Sequence, residues 1–127
     1  MQPVWEDAIT RGDVEAARRL LQAGEDVDSR DRHGQTALML AAHRGQQALL
    51  EVLIENGANL NVTAKYHLSA LMLAVVAGHT EIARRLAQAG ADRDIRGTGA
   101  PGFAGKTAYD LAVERDMKEL CEELRPR

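Results

Sequence analysis

The sequence predicts an all-α solenoid of helix-turn-helix units, and three observations carry that expectation. Gly12, Gly45 and Gly78 form one series with a step of 33 residues, and Gly24, Gly57 and Gly90 form a second with the same step. The run Ala-Leu-Met-Leu-Ala occurs at Ala37 and again at Ala70, one step later. Aromatic residues make up only 3% of the 127-residue chain, so the core has to be built from Ala, Leu, Val and Ile, which suits thin layers of closely packed helices. A fixed period of this size marks a stacked array in which each unit buries its apolar face against its neighbours.

The chain divides into units at about 1–30, 31–63, 64–96 and 97–127 of a single domain. In the first, Trp5 takes the place of Leu38, and Ala16, Ala17, Leu20 and Leu21 supply a light inner face. In the second, Thr36 precedes a short apolar helix and can cap its free amides, Gly45 stops that helix, and Leu49, Leu50, Leu53 and Ile54 fall on one face of a longer helix ended by Gly57. The third repeats this plan with Ser69, Gly78, the inner-face residues Ile82, Ala83, Leu86 and Ala87, and Gly90. Glu51 and Glu55, or Glu81, Arg84 and Arg85, lie opposite, toward solvent. Glu15 with Arg18 and Arg19, and Glu81 with Arg84 and Arg85, read as acid-before-base pairs within one helix. The fourth unit starts its helix at Thr107 and places Cys121 where Leu50 stands, as a small apolar filler; Glu122, Glu123 and Arg125 make its last helix more polar, as an end unit requires.

On the strength of GQTALMLAAHRG, EVLIENGANLN, AVVAGHTEIARRLAQAGAD and GKTAYDLA, the chain resembles an ankyrin repeat protein from about Trp5 to Leu124, as four units with the terminal ones acting as caps. The resemblance implies an ankyrin-repeat solenoid with β-hairpin-like finger loops between the units. It departs from the family where Thr-Pro-Leu-His is usual: Ala37 and Met39, Ala70 and Met72, and Ala108 and Asp110 occupy the places of Pro and His. The resemblance further implies partner binding by finger tips and by the exposed ends of the first helix in each pair. Those places hold Thr10 and Arg11; Arg32, His33, Gln35, His43 and Arg44; Lys65, Tyr66, Leu68, Val76 and Ala77; then Phe103, Lys106, Glu114 and Arg115. Arg11, Arg32, Arg44, Lys65, Lys106 and Arg115 outweigh the single acid Glu114, so Tyr66, Leu68, Val76 and Phe103 are expected to anchor an acidic or mixed apolar and acidic protein segment on a basic rim. Asn61 occupies a turn position that is hydroxylated in some animal members of the family; a side chain that ties down its own turn is the plainer reading.

From Ser69 to Thr107 is 38 residues, five more than the period, and the surplus falls within 97–106. A long finger can carry binding groups or be a tolerated insertion, and both readings stay open. Ala100 to Thr107 nearly matches the phosphate-loop pattern, which makes a small nucleotide-binding protein the alternative. Ala100 replaces the first glycine and no buried strand precedes it, so the pattern lacks the context in which backbone amides and Lys106 would surround a phosphate.

A formal charge of −3, from 16 basic and 19 acidic residues, gives no reason to expect nucleic acid. A single cysteine excludes an intramolecular disulfide and suits a reducing cytosol. The longest apolar run, Ala70 to Ala77, is far below the ~20 residues that span a bilayer, and the start carries no secretory pattern. His33, His43, His67, His79 and Cys121 contain no pair at i, i+4, so no catalytic, metal or cofactor site is expected. The expected molecule is a monomeric, cytoplasmic, non-catalytic protein-binding module; a structural or designed repeat scaffold with no specific target is a further alternative.

Overall fold

The computed structural model describes residues 1–126. Four helix pairs follow one another: α1 (Pro3–Arg11) with α2 (Val14–Gln22), α3 (Ala37–Arg44) with α4 (Gln47–Glu55), α5 (Ala70–Val76) with α6 (Thr80–Gln88), and α7 (Ala108–Glu114) with α8 (Lys118–Leu124). Among the described residues, extended pairing is confined to two isolated bridges, Arg30 with Thr36 and Gly97 with Ala104. The first helices of the pairs stack in the order α1, α3, α5, α7, while α2 lies on α4 and α6 on α8. The molecule is therefore the helical solenoid that the 33-residue step requires.

Helix starts follow the predicted hydroxyls. Thr36 Oγ1 accepts from Met39 N at 3.3 Å, Ser69 Oγ from Met72 N at 3.4 Å, and Thr107 Oγ1 from Asp110 N at 3.3 Å. Asp110, which stands where the family pattern has His, closes a reciprocal capping box by accepting from Thr107 N at 3.0 Å. Gly12 and Gly45 end their helices in the left-handed region, with φ of 66° and 76°. In the fourth unit this glycine row runs into Asp116, which adopts φ 56° without the freedom of a glycine.

The core is the continuous seam between layers. Trp5, Leu38, Leu71 and Leu111 are fully buried along the inner helices, and Leu49, Leu50, Leu53, Leu86 and Leu120 along the outer ones. Each buried aliphatic side chain of this kind stabilises by about 1.5–3 kcal/mol relative to exposure. Cys121 is only half-buried, whereas Leu50 at the corresponding place is fully enclosed.

Polar groups tie the layers together in a repeating way. The Asp28 carboxylate accepts from Asn59 N, and the Asn61 side chain accepts from Asp92 N, both at 2.8 Å and both 31 residues apart. The Asn61 side chain therefore ties down the turn of the next unit, and the expectation that it ties its own is corrected: there the Asn59 side chain accepts from Asn61 N. On the charged outer face the expected pairs form within single helices at Glu15 with Arg18 and at Glu81 with Arg84, and further arginine contacts cross between units. Arg85 Nε bonds both carboxylate oxygens of Glu51 in the preceding unit at 2.9 Å, and Arg84 reaches Glu123 in the following unit at 2.9 Å as well as its own neighbour Glu81. Arg84 and Arg85 are buried enough by these crossings to lie between core and solvent.

Candidate functional site

The finger and inner-helix surface contains one groove that gathers seven of the predicted positions. Gln35 and His43 come from the second unit, and Lys65, Tyr66, Leu68 and Val76 from the third. Phe103 reaches it from the enlarged loop, and the groove encloses about 220 Å³. Three further residues line it that the sequence reading left out: Ala64, Met39 and Leu73. Leu73 could have been found, since it lies three residues before Val76 on the same helical face. Met39 belongs to the core, at 1% exposure, and forms part of the floor.

Leu68 corrects the list of anchors. It is 5% exposed and joins the core from its place directly before Ser69, the cap of α5. It shapes the floor and is not a projecting contact. Tyr66 is the exposed member, at 37%, while Val76 and Phe103 are half-buried.

Local backbone explains the posture of Tyr66. The finger turns at 34 and 105 use glycine with positive φ, but the middle finger has His67 at the equivalent place with φ 58°, preceded by Tyr66 at φ 59°. Bonds to the enlarged loop offset this cost. Thr98 N donates to Tyr66 O at 2.8 Å, and the His67 ring shares a 2.9 Å hydrogen bond with Arg96 O through Nδ1. The Tyr66 and Phe103 rings then meet with centroids 5.6 Å apart and a 38° tilt, and Lys65 Nζ lies 5.0 Å from the Tyr66 ring centroid. Aromatic pairs at this separation add about 0.5–1.5 kcal/mol beyond area burial. The enlarged loop thus forms a docked wall against the neighbouring finger.

The basic rim is smaller than the formal count. Arg11 is held by Asp7 at 2.9 Å and Asp13 at 3.2 Å, which also raises its pKa, chiefly through the Asp7 hydrogen bond. Lys106 pairs with Glu114, which also lies 3.8 Å from Arg115, and Lys106 lines a separate, more open depression with Tyr109 and Val113. Arg32 spends its Nε on His33 Nε2 at 3.3 Å. Of the six predicted rim cations, Arg32, Arg44 and Lys65 have no carboxylate partner among the described residues, and all three are exposed. Thr10 is exposed and Ala77 half-buried, and neither lines the groove.

The phosphate-loop look-alike is occupied by its own chain. The Asp110 carboxylate accepts from Thr107 N at the helix start where a phosphate would have to sit, and like charges there repel. Among the described residues there is no group of His, Cys, Asp and Glu that could hold a metal, and no helix is long and apolar enough to cross a membrane.

A family model for ankyrin repeats (3 copies) matches residues 5–96. The chain belongs to the ankyrin repeat family. The fourth helix pair lies beyond the matched stretch, after the enlarged loop. Among similar proteins, the human BCL-6 corepressor-like protein 1 is 35% identical over 104 residues, 82% of this chain and 6% of that protein. The mouse protein of the same name is 33% identical over the same length. An ankyrin repeat, SAM and basic leucine zipper domain-containing protein 1 from Carollia perspicillata is 42% identical over 57 residues, 45% of this chain and 12% of that protein. The chain thus matches only a small part of these relatives' length. Ankyrin repeats are protein-protein interaction modules, and this ankyrin chain carries the same stacked architecture.

Proposed function

We propose that this ankyrin array binds a partner protein, without chemistry of its own, on the concave surface formed by its fingers and inner helices, and that the partner presents an acidic or mixed apolar and acidic segment. The observation that carries the reading is the groove itself: residues from two successive units and from the enlarged loop converge on one apolar trough with Lys65 at its wall. Arg44 and Arg32, lacking carboxylate partners among the described residues, are available to attract negative charge. Rim cations of this kind act mainly on association rate and on the choice of partner. The outer face, by contrast, spends its arginines on Glu51, Glu55 and Glu123 within the stack. The reading includes a monomer acting in a reducing cytosol.

The test is affinity capture from lysate of the source cells with the intact chain and with a variant carrying His43→Ala and Arg44→Glu, two exposed positions whose change leaves the core intact. A protein recovered by the native chain and lost by the variant is the expected result. Equal recovery by both chains would place the working surface elsewhere.

A further inference from the structure

Resting on the groove as the partner site, we infer that Tyr66 and Phe103 make it a socket for one large apolar side chain, carried by a short peptide segment with a carboxylate beside that residue. Phe103 lies in the enlarged 97–106 loop, so the wall it forms is set by a loop longer than the regular finger. The loop is locked to the finger by the Thr98 bond to Tyr66 O, the His67 bond to Arg96 O and the paired rings. Gly99 permits the approach: a Cβ there would meet Tyr66 Cδ1 at 3.1 Å.

The backbone is unfavourable at just this point. Tyr66 and His67 are successive residues with side chains in the left-handed region. Conformations of that kind persist where the surroundings over-determine them, and they gather at ligand clamps. Here their product is a Tyr66 ring that stands partly exposed against Phe103.

Size and charge select the occupant. Small-molecule sites run from about 300 to 1,000 Å³, whereas this groove encloses about 220 Å³. It admits a single side chain while the rest of a peptide runs across the rim. Its floor and walls are Met39, Leu68, Leu73, Val76 and the two rings, so the entering side chain is apolar. Lys65 is the formal cation among the lining residues, no carboxylate lines the groove with it, and Arg44 follows His43 at the end of α3. A carboxylate adjacent to the anchor therefore finds positive charge at Lys65 and beyond His43 at Arg44, whereas a basic neighbour would be repelled.

A phage-displayed library of random 12-residue peptides, selected on the intact chain, tests this directly. Selected peptides are then titrated calorimetrically into the native chain, Phe103→Ala, Tyr66→Gly, and the pair His43→Ala and Arg44→Glu, with thermal melts in parallel. Glycine accepts the backbone angle of Tyr66, so Tyr66→Gly removes the ring while sparing the turn. The expected result is a shared pattern of one large apolar residue next to Asp or Glu, with affinity falling about tenfold or more in both ring variants, as for a central anchor. Peptides weakened by the His43 and Arg44 changes but indifferent to both ring variants would overturn the socket and leave the concave site standing. Binders indifferent to all of these variants would overturn both. A selection yielding no binder, or one whose anchors lack an adjacent acid, would overturn the inference as stated.

Discussion

His79 lies over Gly45: the ring shares a 3.1 Å hydrogen bond with His43 O through Nε2, and a Cβ built on Gly45 would meet His79 Cε1 at 2.7 Å. The same relation recurs one unit earlier, where Gln46 Nε2 lies 2.9 Å from a Cβ built on Gly12. The residues just before α4 and α6 thus cover the glycines that ended the inner helices one unit earlier, while Gly78 is left uncovered. Gly45→Ala faces both a left-handed φ of 76° and a rigid ring, and is expected to cost about 2–3 kcal/mol. Gly78→Ala has the same backbone penalty at φ 80° but nothing within 4 Å, and is expected to cost about 1–2 kcal/mol. Chemical denaturation of both, with Gly45→Ala repeated in a His79→Ala background, separates the two contributions; equal losses at Gly45 and Gly78 would discount the ring.

Asn61 carries a bond between layers: from its turn, its Oδ1 accepts from Asp92 N at 2.8 Å. Asn61→Ala is expected to destabilise by about 1 kcal/mol, the usual net worth of such a bond. Amide hydrogen exchange at Asp92 is the specific readout. Its protection should fall in the variant, and an unchanged rate would show that this bond does not hold the turn.

Asp116 invites the opposite change. It occupies the helix-ending position held by glycine in the earlier units, at φ 56°, and its carboxylate meets Lys118 only in an exposed contact of 3.7 Å. An ion pair of that exposure is worth little, while glycine removes the left-handed penalty. Asp116→Gly should therefore raise stability by about 0.5–1 kcal/mol, measured as a higher denaturation midpoint with an unaltered slope. A lower midpoint would mean that the Asp116 side chain does more than tolerate its turn.

Asp13 sets an acid limit. Its pKa is held below the ordinary carboxylate value, first by the hydrogen bond from Ala16 N and then by the nearby charges of Arg11 and Arg19. A depressed folded-state pKa contributes stability that is fully present above the unfolded value of about 3.9 and is lost as pH falls through the lower folded value. The native chain should lose stability on acidification below about pH 4 more steeply than Asp13→Ala. Urea melts between neutral pH and pH 3 measure this; parallel losses in the two chains would remove Asp13 as a source.

The repeat made much of this molecule readable before folding. The 33-residue step, the caps Thr36, Ser69 and Thr107, and the inner rows around Leu50 and Leu86 follow from local propensity and helical periodicity, which act over a few residues and are visible as spacing. Seven of the surface positions expected to meet a partner converge on one groove for the same reason, since equivalent places in successive units must line up when the units stack. What the tertiary structure alone decided involves groups far apart in the chain: which arginines pair across layers, that Leu68 turns inward, that Glu114 claims Lys106, and that the surplus loop docks Phe103 on Tyr66. Charge pairing and burial depend on distances between separate units, and no spacing along one strand of sequence encodes which of several nearby partners wins.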